Sequence, residues 1–206
     1  MLLGIGLLLL AVGLASFAID RRAAHAFHDR IPQNLHRLIW RTTDWAKGAY
    51  WLALSTTVLA ICQLAIWFWG STPLLRHWSQ TALAYLASLG IGSVILHTIK
   101  TILGRRRPRD ELEHRLYGFL PFRLQLQYDS FPSGHALTIF CAAAIMSTLI
   151  PILAPLWLAF ALYLGLTRAF LNAHFLSDVF IGAAIGLLTA RETMFYLFPA
   201  LFQPWF

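Results

Sequence analysis

Lys100, Arg107, His135, Arg168, His174 and Asp178 sit in three short polar segments of an otherwise apolar chain. The segments read Lys100-Thr-Ile-Leu-Gly-Arg-Arg-Arg107-Pro108, then Phe131-Pro132-Ser133-Gly134-His135, then Thr167-Arg168-Ala-Phe-Leu-Asn-Ala-His174-Phe-Leu-Ser-Asp178. They supply several fixed cations, two imidazoles and a carboxylate. Guanidinium forks grip phosphate oxygens at two points, and a lysine adds a mobile point charge. An imidazole attacks or passes a proton near neutral pH. Such an inventory suits the holding of a phosphate and an attack on it, provided that the three segments meet.

Each segment also has a plainer reading. Lys100 and Arg107 flank a turn at Gly104, and Pro108 ends any preceding helix; Arg105 and Arg106 read as markers of a membrane boundary. Pro132-Ser133-Gly134-His135 has the composition of a helix start, with Pro favoured in the first turn and Ser as a cap. A helix start presents unpaired N–H groups to an anion, and Gly134 allows close approach. His135 would then overhang that anion, or simply close the cap. Arg168 interrupts an apolar run, which is costly unless the charge faces a polar cavity. His174 and Asp178 are four residues apart, so a bond between them on one helical turn is expected. A carboxylate on one ring nitrogen would fix the tautomer and leave the other nitrogen free to attack; a structural His–Asp pair is the alternative.

The elements that must position these residues are membrane helices. Apolar residues make up 58% of the 206 residues and charged ones 12%, against about a quarter charged in soluble domains. Mean hydropathy is +0.63. The net charge of +7 therefore points to anionic lipid head groups and not to nucleic acid, since no soluble basic stripe is present. Cys62 and Cys141 lie within apolar runs and read as small hydrophobes. A span needs roughly 20 apolar residues. Residues 2–19, 49–69, 80–100, 134–151, 155–172 and 177–198 are the candidates. No basic n-region precedes residues 2–19, so they read as a spanning helix and not as a cleaved signal. Over residues 20–47, Ile31, Leu35, Leu38 and Ile39 recur at helical spacing with Arg30, Arg37 and Arg41 between them, the pattern of an amphipathic helix lying in the interface. The expected fold is all-α: one membrane-embedded domain over residues 1–206, six transmembrane helices plus that interfacial helix after the first span. Alternation of six spans puts all three polar segments on one face of the membrane.

The chain at this point resembles the type 2 phosphatidic acid phosphatase superfamily, the lipid phosphate phosphatases. The family signature is Lys, six residues, Arg-Pro; then Pro-Ser-Gly-His; then Ser-Arg, five residues, His, three residues, Asp. Lys100 to Arg107-Pro108, Pro132-Ser133-Gly134-His135, and Arg168, His174 and Asp178 match it in type and spacing. Thr167 stands where the family has Ser, keeping a hydroxyl for phosphate on a bulkier side chain. The resemblance implies hydrolysis of a membrane lipid phosphate without a metal or other cofactor. His174 would be the nucleophile forming a phosphohistidine, Asp178 its orienting carboxylate, and His135 the acid that protonates the leaving alkoxide. Lys100, Arg107, Arg168, Ser133, Thr167 and the backbone at Gly134 would hold the phosphate.

Phosphatidic acid, phosphatidylglycerol phosphate, undecaprenyl diphosphate and lipid A are the candidate substrates, and the Arg-rich loop over 104–131 is expected to choose among them. The same site would also serve phosphotransfer to a second lipid, or binding of anionic lipid without catalysis. All Lys and Arg except Arg76 and Arg191 fall on the motif-bearing face. The positive-inside rule would turn that face to the cytoplasm. Much of this charge is phosphate-binding or interfacial, so the resemblance to bacterial inner-membrane enzymes decides for an extracytoplasmic site.

Overall fold

The computed structural model describes residues 1–122 and 128–206, and among these it is helical with no strand beyond isolated bridges. In chain order the helices are α1 (Leu2–Ser16), α2 (Asp20–Arg30), α3 (Gln33–Thr43), α4 (Gly48–Trp69), α5 (Pro73–Leu103), α6 (Pro108–His114), α7 (Gly134–Leu149), α8 (Ala154–Phe170) and α9 (Leu176–Leu197). Each of the six apolar runs holds a helix. Among the described residues four stretches are long and apolar enough to cross a membrane, five if the bent pair α1–α2 counts as one. The chain is thus an all-helical membrane protein. At 1.5 Å per residue the 16 residues of α7 reach about 24 Å, short of the roughly 30 Å hydrocarbon core.

The single interfacial helix expected over residues 20–47 is two helices. Pro32 has no N–H to donate and holds Ile31 in an extended conformation, which ends α2 and starts α3. α2 turns 86° from α1, whereas α3 leads through a short turn into α4, so that Gln33–Trp69 runs as one stretch. Helix α5 begins seven residues before the expected span. Thr72 caps it, its Oγ1 accepting from the Leu75 N–H at 3.2 Å, with Pro73 in the first turn. Of the loop expected to choose the substrate, residues 123–127 lie outside the described residues.

Helices α7 and α9 form the middle of the bundle, with α1, α5 and α8 around them. Every residue of α7 from Ala136 to Ile145 is buried. Gly182 and Gly186 let α9 press against α7. A Cβ at Gly182 would stand 2.3 Å from the Ser133 carbonyl oxygen, and one at Gly186 2.3 Å from that of Leu137. This contact sets the depth at which the start of α7 meets the start of α9, where two of the polar segments lie. Both cysteines are free and buried.

Candidate active site

Four helix ends carry the predicted residues to one place. Lys100 is in the last turn of α5, Ser133 and Gly134 open α7, Arg168 is in the last turn of α8, and His174 and Asp178 flank the start of α9. The Ser133 N–H donates to the Asp178 carbonyl oxygen at 2.9 Å, joining the second segment to the third. A Cβ built on Gly134 meets nothing within 4 Å. There is thus open space beside Gly134 at the start of α7, where Ser133 Oγ accepts the Ala136 N–H.

The first segment is pinned as an extended strip. Gly104 ends α5 with φ +47°, and a Cβ there would stand 2.4 Å from the Leu120 carbonyl oxygen, so this turn requires glycine. Beyond it, the Arg105 N–H donates to Tyr128 O at 2.6 Å and the Ser130 N–H to Arg105 O at 3.2 Å. That pairing lays residues 128–130 beside 105 and carries Asp129 to Lys100 and Arg107. Arg107 donates from Nε and Nη2 to Asp129 Oδ1 at 3.1 and 2.6 Å. Lys100 Nζ donates to the Asp129 carbonyl oxygen and lies 3.7 Å from its Oδ2.

His174 is buried at the turn between α8 and α9, and its Nδ1 lies 2.7 Å from the Ser130 carbonyl oxygen. A carbonyl only accepts, so Nδ1 carries the proton and Nε2 keeps its lone pair. Asp178 does not bond the ring directly: its Oδ2 is 3.9 Å from Nδ1, beyond hydrogen-bond length. Ser130 stands between them, its hydroxyl donating to Asp178 Oδ2 at 2.5 Å. Asp178 Oδ2 also accepts the Phe175 N–H at 2.8 Å, closing the first turn of α9. Burial first, then the charges of Lys100, Arg168 and Arg107, hold the His174 ring well below its ordinary pKa, against the opposite pull of the Ser130 carbonyl. The ring is thus neutral where a free imidazole would be half protonated.

Arg168 donates from Nη1 to Thr43 Oγ1 at 3.4 Å, and its buried Nε has no partner among the described residues. His135 feels the charges of Arg168, Lys47, Asp44 and Lys100. Thr167 points elsewhere than expected: its Oγ1 donates to Leu164 O at 2.5 Å and meets Thr43 Oγ1 at 2.8 Å. The fully buried threonine hydroxyl is occupied within the protein and reaches Arg168 only through Thr43.

Arg105 is the largest departure from the sequence reading. It is fully buried, with Nη1 donating to Asp178 Oδ1 at 2.5 Å and to Ser177 Oγ at 2.7 Å. Its Nη2 donates to Asp20 Oδ2 and to the Tyr117 hydroxyl, both at 2.7 Å. Rings of Phe17, Tyr117, Phe119 and Phe175 surround the guanidinium at 4.4 to 5.2 Å. Asp20, at the bend between α1 and α2, accepts the Ser177 N–H at 3.0 Å as well. A charge at the end of an apolar helix is ordinary, so Arg105 read only as a marker of the membrane boundary. Its partner Asp20, a lone acid closing the first apolar run, was the available signal. Ser130 acts on the ring through its backbone carbonyl, which no side-chain pattern reports.

The family model of the PAP2 superfamily matches residues 81–201. The chain belongs to the PAP2 superfamily. Over 112 residues it is 37% identical to a lipid A 1-phosphatase of Rhizobium etli, covering 52% of this chain and 48% of that protein. A lipid A 1-phosphatase of Rhizobium johnstonii is likewise 37% identical over 112 residues, 52% of this chain and 46% of that one. The chain spans about half the length of these curated relatives. Among solved structures, Aquifex aeolicus LpxE superposes with a TM-score of 0.60 at 17% identity, over 86% of this chain and 96% of that one. A transmembrane PAP2-type phosphatidylglycerolphosphate phosphatase of Bacillus subtilis gives 0.61 at 18% identity, over 95% and 93%. At those identities the two structures speak for the shared fold.

Proposed function

We propose that this PAP2 protein is a lipid phosphatase of a bacterial inner membrane, working through a phosphohistidine at His174. The observation that carries the reading is a buried His174 whose Nδ1 is held by the Ser130 carbonyl, leaving Nε2 as the free ring nitrogen, with the charges of Lys100, Arg168 and Arg107 acting on the ring. In the first step Nε2 attacks phosphorus, the bond from phosphorus to the lipid oxygen breaks, and His135 gives that oxygen its proton. In the second, water attacks the phosphohistidine with His135 taking its proton, and inorganic phosphate leaves. The three cations, Ser133 and the first N–H groups of α7 neutralise the equatorial oxygens as charge builds on them. These side chains supply the charge that a metal supplies in other phosphatases. A cavity of about 850 Å³ opens at Arg107 and Ala173, with Phe27, Ile31 and Trp40 on its walls. That is room for a lipid head group and not merely for a phosphate ion.

Identity to two lipid A 1-phosphatases puts a phosphorylated lipid A first among the substrates to test, followed by phosphatidylglycerol phosphate, phosphatidic acid and undecaprenyl diphosphate. In this reading all six apolar helices cross the membrane. Helix α7 is enclosed by its neighbours, so it need not match the hydrocarbon thickness alone. The site faces the extracytoplasmic side, and a reporter fused at Phe206 should then lie in the cytoplasm; a reporter outside would reverse the orientation. For the activity, purified protein is given each lipid in detergent. Phosphate release that survives EDTA, is blocked by vanadate and disappears in His174→Ala supports the reading. Label recovered on a second lipid would make the protein a phosphotransferase, and lipid binding without turnover would remove the enzymatic reading.

A further inference from the structure

Two of the three cations that the proposed function assigns to the substrate already hold an anion, and it belongs to the protein. Both N–H groups on one edge of Arg107 converge on Asp129 Oδ1, while Asp129 Oδ2 faces Lys100 at 3.7 Å. These are contacts that two phosphate oxygens would make. Among the described residues Arg168 pairs with the Thr43 hydroxyl and with no carboxylate, and its Nε is buried without a partner. The site therefore rests with part of its charge neutralised from within and part of it open.

The backbone around Asp129 is held by contacts separate from those of its carboxylate. Residue 128 accepts from the Arg105 N–H, residue 130 donates to the Arg105 carbonyl, and the Asp129 carbonyl accepts from Lys100. The carboxylate is about a third exposed. Rotation about its own side-chain bonds would free Arg107 without moving Ser130, whose carbonyl holds His174 and whose hydroxyl holds Asp178.

We propose that Asp129 is an internal competitor of the phosphate: its carboxylate occupies Arg107 and Lys100 in the empty site, swings off as the substrate phosphate enters, and returns to help expel inorganic phosphate. This rests on the reading of Lys100 and Arg107 as phosphate ligands. The carboxylate keeps neighbouring cations from repelling one another in the empty state, and it repels a phosphate dianion in the filled one. Asp129 in this role tunes affinity and release and does not touch the reacting atoms.

The opposite role, a clamp that orients Arg107 for substrate, predicts the opposite sign. Inhibition of lipid-phosphate hydrolysis by vanadate and by inorganic phosphate is measured in wild type, Asp129→Asn and Asp129→Ala, with protection by vanadate against thermal unfolding as a readout that needs no turnover. The inference predicts that both anions bind Asp129→Asn more tightly by about tenfold, the scale of one removed charge contact, with KM lowered and kcat limited by phosphate release. Asp129→Ala tests the same point if the amide variant folds poorly, since it also lacks the charge. Unchanged or weaker anion binding in either folded variant overturns the inference. Wild type that neither hydrolyses a lipid phosphate nor binds vanadate would instead remove the proposed function beneath it.

Discussion

The Ser130 carbonyl oxygen lies 2.7 Å from His174 Nδ1, while the Ser130 hydroxyl lies 2.5 Å from Asp178 Oδ2. One residue thus connects the ring to the carboxylate that the spacing alone would have bonded to it. Behind Asp178 stands Arg105, and behind Arg105 stands Asp20, all of them buried. The ring's orientation therefore depends on a chain of groups running from the α1–α2 bend to the start of α9.

Arg105 and Arg107, two residues apart, should fail in different ways. Arg105→Met leaves Asp20 and Asp178 buried without their cation, and breaking such a pair costs about 3–5 kcal/mol. Its unfolding midpoint in detergent should fall sharply together with activity. Arg107→Ala removes a group about a third exposed and should lower kcat by about 10²–10³-fold near the wild-type midpoint. Equal thermal losses in the two variants would contradict this division.

The pH dependence follows from the lowered pKa of His174. The folded ring resists protonation, whereas the unfolded one titrates near about 6.5. As pH falls below that value the unfolded chain binds a proton that the folded chain refuses, so this group's contribution to stability is lost toward acid pH. With His174 as the proposed nucleophile, the same shift favours its neutral form, so the acid limb that it imposes on kcat/KM should lie below pH of about 6.5. Lys100→Gln removes one of the charges that lower the pKa, and the residual activity should show that limb moved to higher pH. A limb that stays put would separate Lys100 from the ring.

Thr167→Ser should keep activity near wild type, because serine retains both hydroxyl contacts. Thr167→Val cuts the link to Thr43 and should weaken substrate binding through Arg168, seen as a raised KM. Equal kinetics in the two variants would show that the contact between Thr43 and Thr167 is idle.

Gly182→Ala drives a methyl group into the Ser133 carbonyl. Such overpacking costs about 1–3 kcal/mol. Because Ser133 caps the anion-facing helix, kcat should fall along with the unfolding midpoint, whereas Gly90→Ala, where a Cβ meets nothing within 4 Å, should change neither.

The helices and the gathering of the motif residues were legible in the sequence because apolar runs and fixed motif spacings are one-dimensional signals. Pro32 was visible as well, yet the stripe of Ile31, Leu35, Leu38 and Ile39 concealed that it divides two helices at this point. What the pattern could not carry were contacts made through backbone atoms or across long separations. Ser130 works through its carbonyl, and Arg105 meets Asp20 across 85 residues of chain. Thr167 looked like a phosphate ligand by position, and only packing against α3 revealed that its hydroxyl was already taken.

The most direct test is to quench the enzyme during turnover of a lipid carrying ³²P in its phosphate and to locate protein-bound label. Acid-labile, base-stable label on the peptide bearing His174, absent from His174→Ala, is the predicted result, with turnover in that variant reduced by at least about 10³-fold. Turnover by His174→Ala near the wild-type rate, or label residing on another residue, would contradict His174 as the nucleophile.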